Sequence, residues 1–139
     1  MELSEMKEGM ALPGISTVVT QGNINLYAEA SRDFNPIHID QEFASKTPLG
    51  GTIAHGMLIL AYISQMMTNV FGKNWLSGGR LNARFKAPAR PNDILTVSGK
   101  VSRIKKVEGQ ILINCEISCK NQKKEVIITG EASWREYSS

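Results

Sequence analysis

The second half of the chain alternates apolar and polar residues. Leu81, Ala83, Phe85 and Ala87 fall on one side, with Arg80, Asn82, Arg84 and Lys86 on the other. This is the period-two pattern of a half-buried strand. Leu95, Val97 and Val101 continue it less cleanly. Ile111, Ile113, Cys115, Ile117 and Cys119 share a face, as do Val126, Ile128, Ala132 and Trp134. Glu108-Gly109 and Asn121-Gln122 fit the turns between strands. The pattern predicts an antiparallel meander with one apolar face.

The first half has other periods. Ile15 to Thr20 reads as a strand, and Ile24, Tyr27 and Ala28 have helical spacing for a short helix ending near Ser31. Residues 32–38 are predicted irregular, because Pro36 biases Asn35 away from helical angles. Asp40 suits the cap of a short helix through about Lys46. Pro48, Gly50 and Gly51 mark a loop, with Thr52 as the expected cap of the next helix. From Ile53 to about Phe71 the residues are apolar nearly all round, which predicts a helix buried on every side. Gly72 to Gly79 reads as a loop. The expected class is α+β, a single domain in which an antiparallel sheet wraps around one long central helix.

With 139 residues and 15.3 kDa, the chain has room for one domain and a proper core. Apolar residues make up 42% and charged residues 21%, which argues against disorder. A formal charge of +3 suits a small polyanionic ligand but is too weak to argue for nucleic acid. The apolar stretch from Ile53 carries His55, Ser64, Gln65, Thr68 and Asn69, which opposes a membrane span. The charged N-terminus lacks the apolar segment of a signal peptide, so a cytoplasmic location is expected. Cys115 and Cys119 are separated by four residues of strand, roughly 13 Å, too far for a disulfide. With no other cysteine and no nearby histidine they cannot build a zinc site, and buried free thiols are expected.

The chain's two histidines both lie in one short region. Asp33-Phe34-Asn35-Pro36-Ile37-His38 places a carboxylate five residues before an imidazole, and Ala54-His55-Gly56-Met57 sets the other histidine beside a glycine. A carboxylate and an imidazole close together can share a water and move its proton. A glycine amide at a helix start can hold a developing oxyanion. These parts suit addition or elimination of water.

Ser31 to Asp40, with Phe43-Ala44 and then Gly51 to Leu58, resembles the hydratase-2 motif of the MaoC-like dehydratases and (R)-specific enoyl-CoA hydratases. The resemblance runs from about Thr20 to Pro91 and implies the hot-dog fold, in which the sheet curls around the helix. It implies that Asp33 and His38 are the catalytic pair and hold one water between them. That water would add syn across a trans-2-enoyl thioester to give the (3R)-hydroxyacyl product, or leave in the reverse reaction. Gly56 matches the oxyanion position, Ser64 a serine on the central helix that orients polar groups, and Asn35 a loop-fixing residue. His55 falls at a helix-start position that supports the site. No metal or separate cofactor is implied, since coenzyme A enters as part of the substrate. Arg84, Lys86 and Arg90 are candidate contacts for its phosphates, and an acidic acyl carrier protein would also suit a mildly basic rim. A homodimer or higher homo-oligomer is expected.

One departure from the motif is Arg32, where many members carry glycine before the aspartate. Two alternatives compete with the hydratase. A hot-dog thioesterase commonly places a carboxylate on or near the helix, but no Asp or Glu lies between Glu42 and Asp93. A non-catalytic subunit of a heteromeric dehydratase would be expected to have lost the Asp or the His.

Overall fold

The computed structural model describes residues 3–137. After a 3-10 turn at Leu3–Glu5, the chain runs β1 (Ile15–Val18), α1 (Gln21–Ser31), α2 (Pro36–Ile39), α3 (Gln41–Ser45), α4 (Gly56–Phe71), α5 (Lys73–Gly78), β2 (Arg80–Phe85), β3 (Ile94–Val107), β4 (Gln110–Lys120) and β5 (Val126–Tyr137). The strands form one antiparallel sheet in the order β1-β3-β4-β5-β2. The β3–β4–β5 meander keeps the predicted alternation. Leu95, Val97, Val101, Ile113, Cys115, Ile117, Cys119, Ile128, Ala132 and Trp134 are all buried. Gly109, with φ 76°, makes the tight β3–β4 turn.

Helix α4 lies on this apolar face. Ile59, Ile63, Met66, Met67 and Val70 are buried at the spacing of one helical stripe. Each contributes roughly 1.5–3 kcal/mol by leaving water. At Gly99 of β3 an added Cβ would come within 3.2 Å of the Met66 Cε atom, so helix and sheet meet closely there. The expectation of burial on every side needs correction for the single chain. Met57, Ala61, Gln65 and Asn69 are exposed, and their spacing of four leaves one stripe open.

Other boundaries also differ from those the residue pattern predicts. The long helix begins at Gly56 instead of Ile53, because the backbone before it is extended and paired elsewhere: His55 has ψ 137°, Ile53 N donates to Ile37 O at 3.0 Å and Ala54 N to Ala89 O at 2.8 Å. Thr52 is therefore no cap; its hydroxyl donates to Gln21 and Gln41. Thr20 ends no strand but caps α1, its hydroxyl accepting from Asn23 N. The expected irregular stretch is shorter, since Pro36 opens α2, a position where its missing N–H is harmless. The expected loop at Gly72–Gly79 contains α5, where Trp75 is buried and packs closely on Gly79. A six-residue helix held by one tryptophan leaves no periodic signal. Among the described residues no helix is long and apolar enough to cross a membrane.

Candidate active site

Between α1 and α2 the backbone is directed by short side chains. Helix α1 ends on Arg32 in the left-handed region (φ 65°). Asp33 N then donates to Ser31 Oγ at 3.2 Å, and the Asp33 carboxylate accepts from Asn35 N at 3.2 Å. Asn35 Oδ1 in turn accepts from Ile37 N and starts α2. Asn35 thus holds the loop from both sides. His38, third residue of α2, is buried. Its Nδ1–H donates to Ile53 O at 2.8 Å, which leaves Nε2 as the acceptor of the neutral ring. The His38 carbonyl is held in turn by Gln21 Nε2 at 2.8 Å.

The second histidine joins this pair. His55 is 2% exposed and donates from Nε2 to Asp33 O at 3.0 Å. Its ring stacks on His38 with centroids 3.8 Å apart and planes 22° apart, and Tyr27 packs on it at 4.8 Å. One ligand-type atom from each of Asp33, His38 and His55 lies within 4.8 Å of the others. That is metal-ligand company, but the ring geometry opposes a shared ion. An imidazole binds metal along its own plane, and two stacked rings with centroids 3.8 Å apart and planes inclined by 22° have no common in-plane point close enough for both. His55 instead braces the pair, touching the backbone of one member and the ring of the other.

His38 faces a pocket of about 410 Å3 that includes Ile53, Gly56, Ile59, Phe85 and Lys86 in its lining. Gly56 opens α4, and the preceding His55 makes no side-chain cap bond to the helix. The first amides of a helix lack intrahelical acceptors, so this end presents donors and positive dipole toward the pocket. A Cβ on Gly56 would lie 2.7 Å from Phe85 Cε1, so glycine is what keeps the gap between helix end and ring. The site therefore combines an exposed carboxylate, a buried imidazole with a free Nε2, and a donor-lined helix end beside an apolar hollow.

The other predicted residues are distributed differently. Ser64 is not brought to this cluster; it lies two turns along α4, and its Oγ accepts from Trp75 Nε1 at 2.9 Å. Lys86 stands at the pocket and also lines a second surface hollow, which it shares with Arg84, Glu116 and Glu131. Arg90 lines a third hollow with Gln21, Gln41 and Thr52, so the three cations do not form one cluster. Sequence reasoning missed three contributors: Gln21, Tyr27 and Phe85. The alternation assigns Phe85 to the core face, yet it is 54% exposed and walls the pocket. No local pattern marks a residue whose partner is distant in sequence, as Gly56 is from Phe85.

Comparison with known proteins gives the family. The family model described as "MaoC like domain" matches residues 7–122. The chain belongs to the MaoC-like domain family. A MaoC-like relative, the (R)-specific enoyl-CoA hydratase of Rhodospirillum rubrum, is 30% identical over 130 residues, covering 93% of this chain and 87% of its own. The 3-hydroxybutyryl-CoA dehydratase of Methylorubrum extorquens is 30% identical over 118 residues, 82% of this chain and 71% of its own. Among solved MaoC-like structures, R-hydratase PhaJ1 from Pseudomonas aeruginosa superposes with a TM-score of 0.79 at 25% identity, covering 98% of this chain and 90% of that one. The sheet around α4 is the hot-dog fold.

Proposed function

We propose that this MaoC-like protein is a hydro-lyase that adds water to trans-2-enoyl thioesters to give (3R)-hydroxyacyl products, and catalyses the reverse dehydration. The observation that carries the reading is the Asp33–His38 pair, braced by His55, next to the uncapped amide end of α4 at Gly56. The names of the relatives support the same chemistry.

In the hydration direction, a water held between Asp33 and His38 gives up a proton to the pair, and its oxygen bonds to C3 of the enoyl group. The π electrons move toward the thioester carbonyl, whose oxygen takes negative charge beside the Gly56 N–H. The pair then returns a proton to C2 on the same face, so water is added in full and the pair is regenerated. His38 is suited to the proton step because Ile53 O holds its Nδ1–H and leaves Nε2 as acceptor. Charge at the carbonyl oxygen is met by a donor fixed in advance, the arrangement that contributes most in such sites. No carboxylate lies on α4, so nothing favours thioesterase chemistry there.

The test is hydration of crotonyl-CoA, monitored by loss of enoyl absorbance, with chiral analysis of the product. Asp33→Asn and His38→Gln should each lower the rate about 10²–10⁴-fold while the far-UV spectrum stays native. Wild-type rates in both variants would sink the assignment. Release of free CoA without hydration would point to a thioesterase.

The reading extends to a homodimer in the cytoplasm. Met57 and Leu76 are 61% and 71% exposed, and β2 is an edge strand; covering such surfaces is what a second copy does. Sedimentation at micromolar concentration is expected to give twice the 15.3 kDa chain mass, and a monomer would contradict it.

A further inference from the structure

Beside the reaction pocket lies a polar hollow of about 490 Å3, lined in part by Gln21, Gln41, Gly51, Thr52 and Arg90. The two hollows are neighbours along the chain. Ile53 and Ala54 line the first, Gly51 and Thr52 the second. Ala87 and Ala89 line the first, Arg90 and Asn92 the second. The bond from Ala54 N to Ala89 O ties the two segments where the hollows meet. Three residues of chain separate Ala54 from Gly51, at most about 11 Å.

The orientation of the side chains in this hollow is set by a buried threonine. Thr52 is 2% exposed. Its N–H lies 3.0 Å from Gln41 Oε1, and its hydroxyl is 3.1 Å from the same oxygen and 2.7 Å from Gln21 Oε1. A backbone N–H only donates, so the Gln41 oxygen is assigned and its amide hydrogens are turned away from Thr52. They are turned toward Gly51: a Cβ there would sit 3.2 Å from Gln41 Nε2 and 3.9 Å from Arg90 Nη1. An amide donor and a guanidinium therefore converge over a residue with no side chain.

Nothing of opposite sign meets them. Among the described residues, no carboxylate lies within 4.0 Å of the Arg90 guanidinium. The neighbouring acids are occupied: Asp93 accepts from Arg90 N and Gln122 Nε2, Asp40 caps α3, and Glu42 pairs with Lys46. The Gln41 oxygen is also near, 3.6 Å from a Cβ placed on Gly51, but both it and the Gln21 oxygen accept from Thr52; the remaining amide donor and guanidinium suit an anion with several oxygens on one centre.

We propose that Arg90, Gln41 and the open space over Gly51 form a phosphate site, which holds the phosphate end of the substrate's pantetheine arm while the acyl end occupies the pocket at His38. The assignment of the ligand rests on the function proposed above. It selects Arg90 from the three candidate cations and sets Arg84 aside. Two sources carry this chemistry, the diphosphate of coenzyme A and the phosphodiester that joins the arm to a carrier protein.

Calorimetric titration of the full chain with 4′-phosphopantetheine and with pantetheine tests the site without any turnover. The phosphorylated arm should bind about tenfold or more tighter. Arg90→Gln should erase that advantage, and Gly51→Ala should reduce it, since the added methyl occupies the cradle. Equal binding of the two arms by the unaltered protein would overturn the site, whether or not the protein hydrates crotonyl-CoA. Kinetics then identify the source. If R90Q raises KM about tenfold or more for both the crotonyl-CoA and the crotonyl carrier-protein substrates, the phosphate nearest the arm is the ligand. A rise for crotonyl-CoA alone assigns the nucleotide diphosphate. An equal rise for crotonyl-pantetheine, which has no phosphate, would reduce Arg90 to a packing role and refute the proposal.

Discussion

Arg32 closes α1 with φ 65°, a conformation that costs a residue with a Cβ roughly 1–2 kcal/mol and costs glycine nothing. This explains why glycine suits the position before the aspartate: the chain must reverse there to bring Asp33 back over His38. No ion pair joins Arg32 to Asp33 among the described residues, and Arg32 is exposed. The departure is therefore one of backbone strain. Glycine's greater freedom in the unfolded chain offsets about half of the relief. Arg32→Gly is expected to stabilise the protein by roughly 0.5–1 kcal/mol, raising the melting temperature by about 2–5 °C. A drop in melting temperature would show that the arginine makes a contact worth more than the strain.

The N-terminal end of α4 is the element on which the proposed chemistry depends. Its start is fixed by the extended backbone before it: Ile53 and Ala54 pair with Ile37 and Ala89 and His55 has ψ 137°, so the helix begins at Gly56, and its first amides emerge beside Phe85 and His38. Gly56→Ala should fold, because Phe85 is half-exposed and its ring can turn aside. The displaced ring and the added methyl would then close the approach to the amide. Hydration is expected to fall about 10²–10³-fold with a thermal transition within a few degrees of the parent. Unchanged turnover would remove Gly56 from the oxyanion role. Helix α3 matters in a similar way, since Asp40 caps it through Phe43 N and so carries Gln41 to Thr52.

For the whole molecule, the sheet's inner face has a measurable consequence. Burial pushes the Cys115 and Cys119 thiols up from the ordinary 9.0 to about 11. Unfolding would return both to the ordinary value, so the folded state binds more protons between the two. The stability they contribute is present in full below pH 9 and is lost as pH rises toward about 11. Chemical denaturation should show an alkaline decline over that window, and Cys115→Ala with Cys119→Ala should flatten it even though both cavities lower the baseline. An unaltered alkaline limb in the double variant would assign the decline to other groups.

The alternation of Leu95 through Trp134 and the long apolar run after Gly56 made the fold legible from the residues alone. Both are local signals: a period of two or of 3.6 reports which face is buried whatever covers it. The pairing of Asp33 with His38 was also readable, because only five residues and a proline turn separate them in the chain. Several features needed the folded chain. His55 reads from sequence as support at a helix start, and its stack on His38 and its bond to Asp33 O depend on α4 packing beside the loop. Ser64 reads as part of the site, yet α5, which has no periodic pattern, captures it through Trp75. Phe85 shares the inward parity of β2 but sits at its end, where the sheet edge leaves it against Gly56. Arg90 and Gln41 converge over Gly51 because Thr52 holds Gln41 and the Ala54–Ala89 bond holds the Arg90 segment, which is far away in sequence. Periodicity is a property of neighbours along the chain, whereas these contacts are made by elements brought together through burial of the core.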